Sequence, residues 1–167
     1  MIFDGLVWRY VPADAHPLHV GFILLASGRW NREGVYGCLY TSLSRDGAVA
    51  EYHKMLAQTT GVSPDLDQRR DLVSIRAHIA RVLDLTDPAE RERLGVSLDV
   101  LTGDSDEDLE MCRLIADLAR VEGYQAILSP SAALSGAQNL NLYIDGVAAD
   151  IQVVDGPDRV PLNYLKL

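Results

Sequence analysis

Positive charge is scarce in this chain. Its 167 residues carry 15 Lys and Arg against 24 Asp and Glu, a formal net charge of −9. A nucleic-acid surface needs clustered Lys and Arg to neutralise phosphates, so direct nucleic-acid binding is not expected. A small anionic ligand stays open, because one or two well-placed arginines suffice for it. Cysteine is scarce as well. Cys38 and Cys112 form no CxxC pair and no disulfide framework, which suits a reducing cytoplasm. The longest apolar run, residues 20–26, is far too short to span a bilayer. The opening MIFDGLVWRYV lacks the charged segment and long apolar core of a signal peptide. A cytoplasmic protein without membrane contact is therefore expected. GxSxG and Walker A motifs are absent. His16 and His19 are separated by Pro17 and have no third ligand nearby, so no metal is expected. What remains is an ordinary globular composition, 48% hydrophobic and 23% charged, at a length that favours one domain.

Residues 6–11 (LVWRYV) are aromatic and β-branched, which predicts a strand closed by Pro12. Residues 13–27 are ambiguous. Residues 28–34 read as a loop and 37–43 as a short strand, with Ser44 or Asp46 capping the helix that follows. On that helix Val49, Tyr52 and Leu56 share a face suited to packing on a sheet. Glu51 lies off this face and is able to point toward the loop bearing Arg29. Residues 59–70 are polar, contain Pro64 and read as a loop. Residues 73–79 alternate apolar and polar with the period of a strand, although Ile79, Val82 and Leu83 also have helical spacing. Asp87-Pro88 marks a cap and first turn, and Gly95 a stop. Asp104-Ser105 opens the clearest helix, with three acids where the helix dipole favours anions. Leu109, Cys112, Ile115, Ala116 and Ala119 form its buried stripe and Gly123 its C-cap. Residues 126–128 read as a buried strand that runs into the loop SPSAALSGAQ. Leu140, Leu142 and Ile144 then alternate with Asn139, Asn141 and Tyr143. Asp145-Gly146 reads as a hairpin turn, with residues 149–154 returning as the partner strand. This order of strands and helices predicts an α+β fold rather than a doubly wound sheet.

Four residues stand out as candidates for chemistry. Arg29, on a glycine-flanked loop before Trp30 and Asn31, is able to grip a pyrophosphate through two parallel hydrogen bonds; the plainer role is a surface arginine stacked on Trp30. Tyr40 would stack on a ligand ring or lend its hydroxyl, with core packing the plainer fate. Glu51 would stabilise a cationic sugar centre or bond a ribose hydroxyl; the plainer role is a solvated helix face. Ser131 follows Pro130 at the end of a buried strand, where loops on a rigid scaffold often carry function. Turn chemistry is its plainer role.

Taken together, Ser27-Gly28-Arg29-Trp30-Asn31 with Gly34, the strand Leu39-Tyr40, and the helix segment Ala48-Val49-Ala50-Glu51 resemble the RES domain family, the toxins of RES–Xre toxin–antitoxin systems. Pro130-Ser131, Asn139-Leu140, Trp8-Arg9 and His16-Pro17 match the family pattern in the same order. Ser27 replaces the first glycine of the family's pair, and Arg32-Glu33 stand where prolines are usual. Neither change removes a catalytic group. The resemblance implies one RES domain over residues 1–167. It implies an ADP-ribosyltransferase-like fold with mixed or antiparallel sheets and flanking helices around a cleft. It implies an enzyme that degrades NAD+ as substrate, without a metal, by cleaving the nicotinamide–ribose bond with phosphate (a phosphorylase) or water (a glycohydrolase) as acceptor. Arg29, Tyr40, Glu51 and Ser131 would be catalytic, and Arg29, Trp30, Asn31, Tyr40, Ser131 and Asn139 would contact NAD+. An Xre-family antitoxin, inorganic phosphate as co-substrate and a homodimer within the complex are the implied partners. ADP-ribosyl transfer to a protein target and a non-catalytic binding module are the alternatives.

Overall fold

The computed structural model describes residues 1–20, 23–58, 69–143 and 152–162. The expected loop at 59–70 falls largely outside these residues. Ile144 and the Asp145-Gly146 turn fall outside them entirely.

Seven strands form one mixed sheet. They are β1 (Phe3–Pro12), β2 (Leu39–Ser42), β3 (Arg70–Ile79), β4 (Val82–Asp84), β5 (Ala126–Pro130), β6 (Gln138–Leu142) and β7 (Gln152–Pro161). Their spatial order is β4-β5-β6-β2-β1-β3-β7. Only the β4–β5 pair is parallel; the other neighbours run antiparallel. With the helices α1 (Arg45–Gln58), α2 (Pro88–Leu94), α3 (Leu98–Thr102) and α4 (Asp106–Val121), this is the α+β architecture expected from the sequence.

The alternation of residues 73–79 builds β3, whose Ile75 faces Val7 of β1 in register, both fully buried. The helical spacing of Ile79, Val82 and Leu83 is not used: the chain turns and enters β4, because β5 offers an edge on which Val82 pairs with Ala126. The return strand also differs from expectation. Residues 152–154 pair with β3, not β6, since β6 already has β5 on one side and β2 on the other.

Helix caps follow the local chemistry. Ser44 Oγ accepts from the Gly47 N–H at 3.0 Å, so serine rather than Asp46 caps α1. Asp87 caps α2, with Pro88 at its first position and Gly95 at φ 65° closing it. Ser105 and Asp108 form a reciprocal capping box at the start of α4. The short α3 is capped by Ser97 and was not foreseen, since five residues give little periodicity to read.

The core lies on both faces of the sheet. Ile127 joins Cys112, Ile115, Ala116 and Ala119 of α4, together with Trp30 and Tyr143. Its neighbours Ala126 and Leu128 join Val7, Ile75, Leu140 and Leu142 in a second cluster. Successive strand residues point to opposite faces, which divides β5 between the two. A third cluster packs α1, through Ala48 and Val49, on Leu72 and Leu162, with Trp8, Tyr10 and Tyr52 at its margin. This packing fixes α1 over β1, β2 and β3, and so fixes what its polar face presents.

Candidate active site

Glu51 is the seventh residue of α1. Its Oε1 accepts two hydrogen bonds, from Ser131 Oγ at 2.7 Å and from Asn139 Nδ2 at 2.6 Å. Both donors are themselves oriented. The Ser131 oxygen accepts the Ala133 and Leu134 backbone N–H groups, each at 3.1 Å, which leaves its proton for Glu51. Asn139 Oδ1 accepts from Ser42 Oγ at 2.7 Å, which turns the amide nitrogen to Glu51. Sheet register aligns these groups: Asn139 lies opposite Ser42 of β2 and opposite Ser129 of β5. Among the described residues no hydrogen bond reaches Glu51 Oε2 and no cation pairs with this carboxylate. Tyr10 stands close by. Its hydroxyl is pushed above the usual range, first by burial and second by the negative charge of Glu51.

The opposite wall is built around Arg29, whose side chain is only 13% exposed. Nη1 donates to the carbonyls of Leu101 at 3.1 Å and Gly103 at 2.6 Å, at the end of α3. Nη2 donates to Asp104 Oδ1 at 2.7 Å. Five N–H groups belong to a guanidinium, so Nε–H and one Nη2–H remain. Asp104 also holds Lys54, which stands three residues after Glu51 on α1; Lys54 Nζ lies 2.8 Å from Oδ2 and donates to Ala132 O at 3.1 Å. Arg29 is thus a bracket between loops and not a surface residue stacked on Trp30, whose ring is buried in the α4 core.

Tyr40 ties the Arg29 loop to β2. The residue is 40% exposed, yet its hydroxyl accepts the Trp30 N–H and donates to Asn31 Oδ1, both at 2.8 Å. Burial pushes that hydroxyl well above its ordinary value, so it keeps its proton at neutral pH. A Cβ on Gly28 would come within 2.1 Å of the Tyr40 oxygen, so this approach requires glycine. Asn31 is committed to Tyr40 and, through Nδ2, to Ala26 O at 2.8 Å.

These walls enclose a cleft of about 510 Å³ lined by Arg29, Trp30, Tyr40, Glu51, Lys54 and Asn139 among others. Asn141, in the same lining, has a buried Oδ1 with no hydrogen-bond partner among the described residues. A second cavity of about 890 Å³ adjoins the first, sharing Arg9, Tyr10, Gly28 and Tyr40 as walls; Asn31 lines this one. Arg9 donates to Pro17 O and His19 O, and its buried Nε has no partner among the described residues. Burial pushes this guanidinium down to about 10, so it stays charged at neutral pH. The structure therefore gathers Glu51, Ser131 and Asn139 into one hydrogen-bonded unit, and Tyr40, Trp30 and Asn31 into another, with Arg29 on the same loop bonded instead to Leu101, Gly103 and Asp104.

Lys54, Asp104 and Asn141 were not singled out from the sequence. Lys54 had a signal, its i,i+3 spacing from Glu51 on one helix. Arg9 was marked only through its family pattern. Asp104 read as the opening of a helix and gave no sign of a partner at position 29. Among the described residues no three His, Cys, Asp or Glu side chains cluster as a metal site, and no helix is long and apolar enough to cross a membrane.

A mixed seven-stranded sheet with a carboxylate-bearing helix over its polar strands defines an α+β cleft protein. The RES domain model matches residues 6–163, and the chain belongs to the RES domain family. A Mycobacterium tuberculosis protein named probable NAD(+) phosphorylase Rv3189 is 38% identical over 117 residues, or 70% of this chain. The matched region is 53% of that relative's length, so the chain spans about half of it. In fold, the chain is similar to the crystal structure of the M. tuberculosis MbcT-MbcA toxin-antitoxin complex. The TM-score is 0.72 at 23% identity, covering 92% of this chain and 85% of that one.

Proposed function

We propose that this protein degrades NAD+ by breaking the nicotinamide–ribose bond, as the toxin of a toxin–antitoxin pair. The observation that carries this reading is the Glu51 carboxylate, oriented by neutral donors and unpaired with any cation among the described residues, in a cleft whose far wall is cationic. Nicotinamide in NAD+ is already a cationic leaving group and needs little acid help. The cost of cleavage is the positive charge that develops at the anomeric carbon, and a fixed carboxylate offsets it, as in glycoside hydrolysis.

In this assignment Glu51 faces the ribose, and Ser131 and Asn139 hold it in position. The two remaining N–H groups of Arg29 meet the pyrophosphate, and Arg9, between the two cavities, supplies a second cation to it. Tyr40 positions the nicotinamide end, with Trp30 and Asn31 shaping the loop around it. The name of the mycobacterial relative supports phosphate as acceptor. The ADP-ribosyltransferase-like character implied by the family fits the same chemistry. An Xre-type antitoxin, a homodimer within the complex, cytoplasmic location and a reaction that needs no metal complete the reading. The antitoxin is supported by the fold shared with a toxin–antitoxin complex.

The acceptor is tested by phosphorus NMR of NAD+ incubated with the protein. A phosphate-dependent product with a new sugar-phosphate signal supports phosphorolysis. ADP-ribose formed equally without phosphate makes water the acceptor. Label retained on a protein makes the enzyme a transferase. Undiminished NAD+ under all these conditions contradicts the reading.

A further inference from the structure

Among the described residues β1 and β2 pair at Trp8 and Ser42 alone. Beyond Trp8 the two strands part, and β1 continues against β3 as far as Pro12 opposite Arg70. The cavity of about 890 Å³ opens in this split, with Arg9, Tyr10, Val11 and Pro12 from one strand and Cys38 and Tyr40 from the other side. It shares Arg9, Tyr10, Gly28 and Tyr40 with the cleft that holds Glu51. Small-molecule pockets run from about 300 to 1,000 Å³, so a nucleoside fits the split with room around it. A dinucleotide with its nicotinamide–ribose bond at Glu51 and its pyrophosphate at Arg9 has its adenosine half there.

Charge in the split runs against the rest of the chain. Overall, 24 acids outnumber 15 Lys and Arg. In the lining of the split Arg9, Arg69 and Arg70 stand against one acid among the described residues, the exposed Asp14. Arg69 immediately precedes β3, and its carbonyl accepts the Ala13 N–H at 2.9 Å. Its exposed guanidinium has no partner among the described residues. Arg70 is half-buried, and its positive charge reaches the Tyr10 hydroxyl, where it opposes the rise caused by burial. Arg9 and Arg29 already meet the two charges of a pyrophosphate, so Arg69 and Arg70 are cations beyond what NAD+ needs. A free adenosine ribose is held by a carboxylate that accepts from its 2′-hydroxyl, whereas a 2′-phosphate is held by arginine. Two adjacent guanidinium groups suit such a phosphate, which carries a charge of about −2.

We infer that the split between β1 and β2 takes an adenosine half whose 2′-phosphate meets Arg69 and Arg70, and that the protein cleaves NADP+ at least as well as NAD+. This rests on the NAD+-cleaving reading and widens its substrate class. The reaction is the same. The bond from ribose C1′ to the nicotinamide nitrogen breaks, and its electron pair leaves with nicotinamide. C1′ then bonds an oxygen of phosphate or, with release of a proton, of water. The 2′-phosphate takes no part in these steps.

Nicotinamide release from NADP+ and from NAD+, followed by proton NMR at one ionic strength, gives kcat/KM for each. The native value for NADP+ should equal or exceed that for NAD+. Arg69→Ala should lower the NADP+ to NAD+ ratio about tenfold, the scale of losing one charged donor. Arg69→Glu should lower it further, and Arg69→Lys should retain much of it. Arg69 is exposed, so all three variants should melt with the native protein. Binding has a readout without turnover. Adenosine 2′,5′-bisphosphate should raise the melting temperature more than adenosine 5′-monophosphate does, and Arg69→Glu should abolish the difference. NAD+ cleaved while NADP+ is left intact would overturn this inference and leave the NAD+ reading standing. Neither dinucleotide cleaved would overturn that reading, and a bisphosphate no better than the monophosphate would overturn the 2′-phosphate site itself. A ratio unchanged across the Ala and Glu variants would overturn the assignment to Arg69.

Discussion

The two walls of the cleft handle charge in opposite ways. On the α1 wall, Glu51 is held by a serine hydroxyl and an asparagine amide, both neutral, and no cation pairs with it among the described residues. On the facing wall, Arg29 is tied to Asp104 and to two backbone carbonyls, and Lys54 reaches over from α1 to the same Asp104. A charge held by neutral groups keeps its field for whatever enters the cleft. A charge paired with its opposite spends most of that field on holding loops together. In the proposed reaction the α1 wall is therefore the reactive one, and the Arg29 wall is chiefly a frame with two N–H groups left for an anion.

Substitutions separate these roles. Glu51→Gln keeps the shape and an acceptor for Ser131 and removes the charge. NAD+ turnover should fall about 10³-fold, the scale of losing one preorganised electrostatic group, while the thermal midpoint changes little. A large loss of stability in that variant would make Glu51 part of the frame. Arg29→Ala should cost about 2–3 kcal/mol of stability, read from the urea midpoint, because it strips three acceptors of a charged donor, and should raise KM for NAD+ through the lost pyrophosphate contact. If turnover collapses without loss of stability, Arg29 belongs to the reactive wall.

Ser131→Ala removes one of the two bonds that aim Glu51. It should lower kcat about tenfold, the equivalent of about 1.4 kcal/mol, with KM nearly unchanged. A shift confined to KM would mean that Ser131 touches substrate and does not act through Glu51.

The smallest effect is alkaline. Tyr36, Tyr40 and Tyr143 have hydroxyls raised above the usual value of 10, in each case mainly by burial. The unfolded chain releases these protons first, so it binds fewer protons than the folded state as pH rises past 10. Stability should then fall, by at most about 1.4 kcal/mol per pH unit for each group, and stay flat with respect to these groups between pH 7 and 9. Thermal midpoints across pH 7 to 11 test this, and midpoints that hold steady past pH 10 would contradict it.

The sequence made the Glu51 wall easier to read than the Arg29 wall, for a physical reason. Helix caps and stripes are local, so Ser44, the Val49 face and the buried side of α4 could be read from neighbouring residues. Glu51 fell off the apolar face and so declared itself. Ser131 stood out by its place at the end of a buried strand, and the family pattern then added Asn139; both sit at strand ends that reach Glu51. The partners of Arg29 lie more than 70 residues away and are mainly backbone carbonyls, which no residue type announces. The same limit hid the pairing of residues 152–154 with β3. A returning strand after an Asp-Gly pair reads as a local hairpin, whereas the open edge that takes it is set by the whole sheet. Trp30, an apparent stacking partner, went to the core because the loop folds inward on Tyr143, whose hydroxyl donates to the Trp30 carbonyl at 3.1 Å.

The central claim is that the Glu51 carboxylate drives departure of nicotinamide from NAD+. The most direct test follows free nicotinamide by proton NMR in parallel samples of the native protein and Glu51→Gln, each with NAD+ and phosphate. The expected result is steady release by the native protein and release about 10³-fold slower with the variant. Native protein that leaves the nicotinamide–ribose bond intact, or a variant that releases nicotinamide at the native rate, would contradict it.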